Sequence, residues 1–430
     1  MNLLLAILAF NIIVIVHELG HFLIAKKMGI KVLEFSLFIG PKIFSIDRGD
    51  TTYSLRLFPI MAYVKMEGED EESDSEDSFN KKSKRVRAAT ILGGPVANIL
   101  LALVLLTAVF AIEGYSSTEI GNVYENSTAA QIGMLKGDRV ISYNGKRTFL
   151  PIDVVQFLYV SKGETAQVEY ERDGERFTGE LTPVIHPEAK EPKLGISLSS
   201  EDPVNSNIVM ALSPDMPAQE MGILVGDRIV ALNGIEIDNA DELIAYVNKN
   251  GMNPIKVKAL RGESEVNVTI MPKEVKTEEW YDIGLAFSTK KGGILESLWQ
   301  SLVFTVSIVR SVAYSLVWLI TGQAKLSELM GPIGMVSTIS TSVAMAPNLA
   351  QMLLYLMNIT AYLSIAVGAT NLIPFPMLDG GKLVLIGVEA VRGKPISPEK
   401  EGYISLVGFA LIILLGIFAA YNDIVRIITG

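Results

Sequence analysis

Residues 1–25 read MNLLLAILAFNIIVIVHELGHFLIA. Residues 1–16 carry no charged side chain, and the apolar run resumes after His21. A helix crosses the hydrocarbon core with about 20 apolar residues, so this stretch is long enough to span. No basic segment precedes it and no small-residue cleavage site follows it, so it reads as a retained span and not a signal peptide. His17, Glu18 and His21 stand near its far end. Ionisable side chains are costly at that depth, and a chemical role is the default expectation for them.

Three more uncharged stretches follow, at Ala88–Ile112, Met330–Leu378 and Gly402–Asn422. The sequence therefore reads as a polytopic α-helical membrane protein with four spans. The wider composition agrees, with 49% hydrophobic and 20% charged residues in 430, against about 25% charged in soluble chains. The net charge of -10 argues against nucleic acid as a partner. With no cysteine, a disulfide framework and a thiolate site are both excluded. Lysine and arginine recur from Lys26 to Arg87, which assigns that loop to the cytoplasm by the positive-inside rule. The N-terminus and residues from about 115 to 290 are then extracytoplasmic. Eight acids lie between Glu67 and Asp77; they read as a solvated segment, with the flanking lysines near lipid headgroups.

The exported region repeats itself. Residues 130–145 read AQIGMLKGDRVISYNG and residues 218–234 read AQEMGILVGDRIVALNG. A period of nearly ninety residues is domain-sized, so this is a duplication. Asn144-Gly145 and Asn233-Gly234 are hairpin turn pairs. The pattern resembles PDZ domains of the permuted bacterial kind. That resemblance implies two extracytoplasmic α+β PDZ-like domains, at 115–199 and 200–290. They would add an extended peptide to a sheet edge, or act as steric filters with no peptide bound.

His17 and His21 are four residues apart, so both imidazoles lie on one helix face and can reach one ion. Zinc takes nitrogen ligands and keeps a position open where it is catalytic. Glu18, beside the first ligand, is the candidate general base for an attacking water. The bland alternative is a pair of helix-end histidines. The remaining histidine, His186, lies in Val-Ile-His-Pro-Glu between the repeats and reads as a solvated loop residue. A carboxylate would then be the third ligand, and Asp379 in Asn371-Leu-Ile-Pro-Phe-Pro-Met-Leu-Asp379-Gly-Gly is the candidate. Pro374 and Pro376 break any regular helix there, and broken backbone at membrane depth is tolerated where it lines a protein cavity. Asp379 reaches the depth of His21 only if residues 295–321 do not cross. Their apolar positions follow helical spacing with Arg310 on the more polar side, so they read as an amphipathic helix on the outer surface or against the spans.

Together these motifs resemble the site-2 protease family of intramembrane zinc metalloproteases, in its RseP-like bacterial branch with tandem PDZ domains. The resemblance covers nearly the whole chain. HELGH matches the family's HExxH, and NLIPFPMLDGG matches its N-x-x-P-x-P-x-L-D-G. It implies one zinc ion per chain held by His17, His21 and Asp379, with Glu18 as catalytic base. It also implies Asn371, Pro374 and Pro376 in a substrate-binding wall, and Asn98 of Gly94-Pro95-x-x-Asn98 near the site. Tyr53, Leu55 and Leu57 alternate with polar residues, and this loop resembles the family's membrane-associated β-loop. An open strand edge can hold an unwound substrate by main-chain hydrogen bonds; the alternative is an ordinary cytoplasmic hairpin. The chain has Met61-Ala62 where relatives carry a glycine pair.

The expected organisation is a first span with HExxH (1–25), a cytoplasmic loop with the β-loop (26–87) and a second span (88–112). The two PDZ-like domains follow, then an amphipathic helix and connector (293–345), a third span ending in the LDG motif (350–381) and a fourth span (402–422). The expected activity is cleavage of single-pass membrane proteins within the bilayer of a bacterial plasma membrane, with the site toward the cytoplasm. Substrates would be anti-sigma factors already cut by another protease, or signal-peptide remnants. The rival reading is a non-catalytic PDZ scaffold anchored in the membrane.

Overall fold

A computed structural model describes residues 2–69, 73–198, 206–214, 216–344, 346, 348–394 and 396–429. Five helices are long and apolar enough to cross a membrane. Their described lengths fall at 4–27, 84–113, 294–320, 349–371 and 400–426. Expected spans account for four of them. The fifth is Ile294–Ile320, expected to lie on the outer surface or against the spans.

That helix packs against the second span. The buried side is the small polar one, with Ser297 and Ser301 fully buried and Thr305 and Ser311 nearly so. Leu295, Trp299 and Ile320 point outward. A water-facing amphipathic helix would do the reverse. Small hydroxylated residues at a helix–helix contact with apolar ones outside is the arrangement of a helix in lipid. Ser301 meets Thr107 of the second span at 3.1 Å, and Phe304 packs edge-on against Phe110.

The chain divides into two units. The first gathers residues 1–112, 292–340 and 356–426. Its first two helices, Asn2–Lys27 and Lys84–Glu113, pack closely through glycines. A Cβ on Gly20 would fall against the carbonyl of Gly93 and 2.7 Å from Ala97 Cβ. Between these helices, strands Val32–Arg48 and Thr51–Met66 form a long hairpin that folds back on itself. Residues 34–37 consequently have partners on both sides, 62–65 in one direction and 52–55 in the other. Its outer residues Ile43 and Phe44 are exposed. After the helix Leu349–Asn371 the chain breaks, as the two prolines require, and restarts as Asp379–Arg392. The final helix is Pro398–Thr429.

Ion pairs tie the polar end of this unit. Arg87 reaches Glu389 at 2.6 Å, Lys382 reaches Glu69 at 2.6 Å and Lys31 reaches Glu67 at 2.9 Å. Much of the acidic run is thus paired with lysine; residues 70–72 lie outside those described.

The second unit holds the duplicated region. The repeat extends to individual hydrogen bonds. Asp138 accepts from Arg172 Nε at 2.7 Å and from Leu135 N at 2.8 Å; Asp227 accepts from Arg261 Nε at 2.8 Å and Leu224 N at 2.8 Å. Burial would push both carboxyls up, but the guanidinium hydrogen bonds outweigh it and hold them below their ordinary value. Asn144 and Asn233 both adopt φ 49 before a positive-φ glycine, the geometry of a two-residue hairpin turn.

The modules are nested, not consecutive, which corrects the expected boundary at 199/200. In the second, Ile196–Leu198 pairs with Val209–Leu212. The equivalent partner of Tyr115–Val123 in the first is Leu285–Lys290, from beyond the second module. Two short antiparallel ladders, 189–193 with 273–277 and 184–186 with 280–282, form the stem between them. His186 lies in that stem stacked on Trp280 at 4.0 Å, and is not a loop residue. The duplicated strands could not reveal this. A strand supplied from downstream has the same local sequence as one supplied from upstream.

Candidate metal centre

The spacing that puts His17 and His21 on one helix face brings their Nε2 atoms to 3.2 Å. The break after Asn371 swings the chain back, so that Asp379 opens the next helix beside them. Its Oδ2 lies 3.2 Å from His17 Nε2 and 3.5 Å from His21 Nε2. Among the described residues these three are the group whose donor atoms could hold one metal ion. Both histidines are buried, at 8% exposure.

The donor set fits zinc. Ligands at about 2.0–2.1 Å from a tetrahedral ion stand about 3.3–3.4 Å apart, and these three, at 3.2, 3.2 and 3.5 Å, bracket that spacing. His21 Nδ1 lies 2.9 Å from the carbonyl of Thr90, to which it can only donate, so its Nε2 presents a bare lone pair. Asp379 Oδ2 is buried with no ordinary hydrogen-bond partner. Three electron-rich donor atoms converging in this way are what a cation would hold together.

Glu18 neighbours the ligands on the same helix and accepts from the Val64 main-chain N–H at 3.1 Å. Val64 lies in the segment 62–65 whose inner partner is 34–37. The hairpin sheet therefore meets the first helix along its 58–66 edge, where Asn11 also donates to the Pro59 carbonyl at 2.8 Å. Tyr53 and Leu55 lie elsewhere. Their strand is interior, with Tyr53 paired to both Phe35 and Ile46, and Leu55 to both Leu37 and Phe44. Tyr53 packs its ring against Phe22 of the first helix, and Leu57 is exposed. Within the sheet, burial alone would raise Glu34, but Ser54, Arg56 at 2.8 Å and Tyr63 together hold its carboxyl down to about 2.

The break at 372–378 carries Pro374 exposed and Asn371 and Pro376 half-buried. Phe375 N donates to the Ile373 carbonyl at 2.7 Å, and Leu378 N to that of Phe375 at 3.2 Å. Gly380 and Gly381 have no room for a Cβ, which would strike the carbonyls of Ile373 and Phe375. Gly408 of the last helix packs on Pro376 in the same way.

Asn98 of the second helix was expected near the site and does lie against His17; the parts of Thr90 and of the close approach at Gly94 were not read from sequence. Thr90, Gly94 and Asn98, each four residues after the last, line the face toward the two imidazoles. Thr90 offers its carbonyl to His21, and the Asn98 amide lies 3.3 Å from His17 Nδ1. At Gly94 a Cβ would sit 2.7 Å from His21 Cε1 and 2.8 Å from His17 Cε1. The matching four-residue period of the two helices was the available signal.

Comparison with known proteins gives a single family. The model of Peptidase family M50 matches residues 5–415. Zinc metalloprotease RasP of Geobacillus kaustophilus is 32% identical over 430 residues, covering 97% of this chain and 96% of the relative. Protease RseP of Yersinia pestis is 29% identical, covering 98% of each. Regulator of sigma-W protease RasP of Bacillus subtilis is 28% identical, covering 98% of this chain and 97% of the relative.

Proposed function

The chain belongs to peptidase family M50, the site-2 protease family, and from that premise we propose that this membrane-integral zinc metalloendopeptidase cuts single-pass membrane proteins within the bilayer. The observation that carries the reading is the convergence of His17, His21 and Asp379 from the first helix and the broken segment. These three residues hold the zinc. Bound there, zinc supplies a Lewis acid that polarises the scissile carbonyl and acidifies a water. Glu18 takes the proton of the attacking water and returns it to the departing amine, so the carboxylate is restored with each cleavage.

A substrate helix shields its peptide bonds, so it must unwind before attack. The 58–66 edge of the hairpin sheet runs past Glu18 and can take the unwound strand by main-chain hydrogen bonds. Asn371, Pro374 and Pro376 form the opposite wall. The exposed Ile43 and Phe44 suit a sheet dipped into lipid.

Four helices cross, and Ile294–Ile320 lies at the outer boundary despite its apolarity. Its start sits on the C-terminal end of the second span, through Thr107 and Phe110. The segment after it is tied to the C-terminal end of the last helix, where Arg426 donates to the Ser327 carbonyl at 3.0 Å and Asp423 accepts from Gly331 and Gly334. Arg87, near the start of the second span, pairs with Glu389 of Asp379–Arg392, the helix that leads directly into the last one, so both ends of Ile294–Ile320 are read as lying on one side. The site then opens toward the cytoplasm, and the nested modules, read as PDZ domains, are extracytoplasmic. They admit substrates already trimmed of large outer domains, such as cut anti-sigma factors or signal-peptide remnants.

The test is Glu18→Gln in proteoliposomes with a model transmembrane substrate. Zinc content stays at that of the wild type while cleavage falls by about 100-fold or more, the range of a lost general base. Cleavage at the wild-type rate by a correctly inserted variant would end the protease reading.

A further inference from the structure

The second helix addresses the two imidazoles differently, and the difference identifies an unassigned residue. A neutral imidazole has one protonated and one bare nitrogen. For His17 to offer Nε2 to zinc, Nδ1 must carry the proton and needs an acceptor. His21 meets this condition through the Thr90 carbonyl. The partner of His17 Nδ1 is the Asn98 side-chain amide, and the nitrogen of that amide faces the ring at 3.3 Å. The oxygen, Oδ1, is meanwhile buried with no hydrogen-bond partner. An amide nitrogen cannot accept, so that orientation would put the His17 proton on Nε2, pointing at Asp379.

A half-turn of the amide exchanges its oxygen and nitrogen at almost no change of shape. We infer that Asn98 presents Oδ1 to His17 Nδ1–H and so sets the tautomer in which His17 can bind zinc. Asn98 is then a positioning residue, acting through His17. The site offers no easy substitute, because Asn98 is 0% exposed. Its backbone is also held, since Ser364 Oγ donates to the Asn98 carbonyl at 2.8 Å. Ser364 belongs to the helix Leu349–Asn371 that leads into Asp379. One residue thus links the imidazole on the first helix to the element that delivers the carboxylate. Outer-shell acceptors of this kind fix ring orientation and raise ligand basicity.

The inference rests on the zinc reading above, and the experiment separates the two. Zinc affinity is measured by chelator competition on the purified full chain in detergent, for the wild type, Asn98→Leu and Asn98→Asp. Leucine nearly keeps the volume and removes the acceptor; aspartate keeps the acceptor. Asn98→Leu is expected to bind zinc about 10–100-fold more weakly, and Asn98→Asp to bind as tightly as the wild type or tighter. A merely structural role would not restore affinity in the aspartate variant alone. Asn98→Leu binding within about threefold of the wild type would overturn the inference, as would a folded Asn98→Asp that loses zinc. Should the leucine variant fail to fold, the aspartate result decides by itself. A wild type that takes up no zinc would sink the zinc reading, and this inference with it.

Discussion

Gly94→Ala adds one methyl group at the point where the second helix faces both imidazoles. That methyl would stand 2.7 Å from His21 Cε1 and 2.8 Å from His17 Cε1, and closest to His21 Nε2. Unstrained carbon atoms approach to about 3.5 Å. The rings, the helix or both must therefore retreat by about 0.7–0.8 Å. Zinc–ligand bonds tolerate about 0.2 Å, so the required shift exceeds the tolerance more than threefold. Zinc affinity should fall by about 100-fold or more, at the upper end of what changes outside the ligands cost, or about 3 kcal/mol. Chelator competition on purified protein reads this directly. Gly387→Ala serves as control, because a Cβ there meets nothing within 4 Å. If Gly94→Ala binds zinc within about threefold of the wild type and the control, the close fit of the second helix against the imidazoles is refuted.

The paired carboxyls of the nested modules make their stability acid-sensitive. Asp138 and Asp227 lie below their ordinary 3.8 in the folded state, so their contribution is complete above that value and is lost as pH falls through the folded one. Opening free energies from hydrogen exchange, with the intrinsic pH dependence of amide exchange divided out, should be flat between about pH 7 and 5 for residues 133–172 and 222–261 and fall below about pH 4; a fall confined to higher pH would reverse the sign. Asp138→Asn should destabilise the first module by about 1–3 kcal/mol, read as a lower denaturant midpoint for that segment. Because the chain has no cysteine, single cysteines report topology cleanly. Gln323→Cys should react with an impermeant thiol reagent from the same side as Glu125→Cys and the opposite side from Glu76→Cys. Labelling of Gln323→Cys with Glu76→Cys instead would make Ile294–Ile320 a full crossing.

Most of the metal centre was legible because its signals are local. His17 and His21 share a face by the helical period alone, and Pro374 and Pro376 announce the break that turns Asp379 toward them. The turn pairs Asn144-Gly145 and Asn233-Gly234 likewise carry their conformation in two residues. What was not legible depends on partners distant in sequence. Tyr53, Leu55 and Leu57 alternate as a strand should, but alternation does not say whether a strand is an edge or has neighbours on both sides. The downstream strand Leu285–Lys290 completes the first module for a reason invisible to any window of sequence. The serines of Ile294–Ile320 look water-facing in sequence, yet they are the residues on which this helix packs. Thr90 acts through its carbonyl, which any residue type would supply.

The most direct test of the account is zinc X-ray absorption on the purified full chain. It should find one zinc per chain bound by two imidazole nitrogens and oxygen donors at about 2.0–2.2 Å, with one imidazole lost in His21→Gln. A zinc site with no imidazole, or one unchanged by His21→Gln, would contradict it.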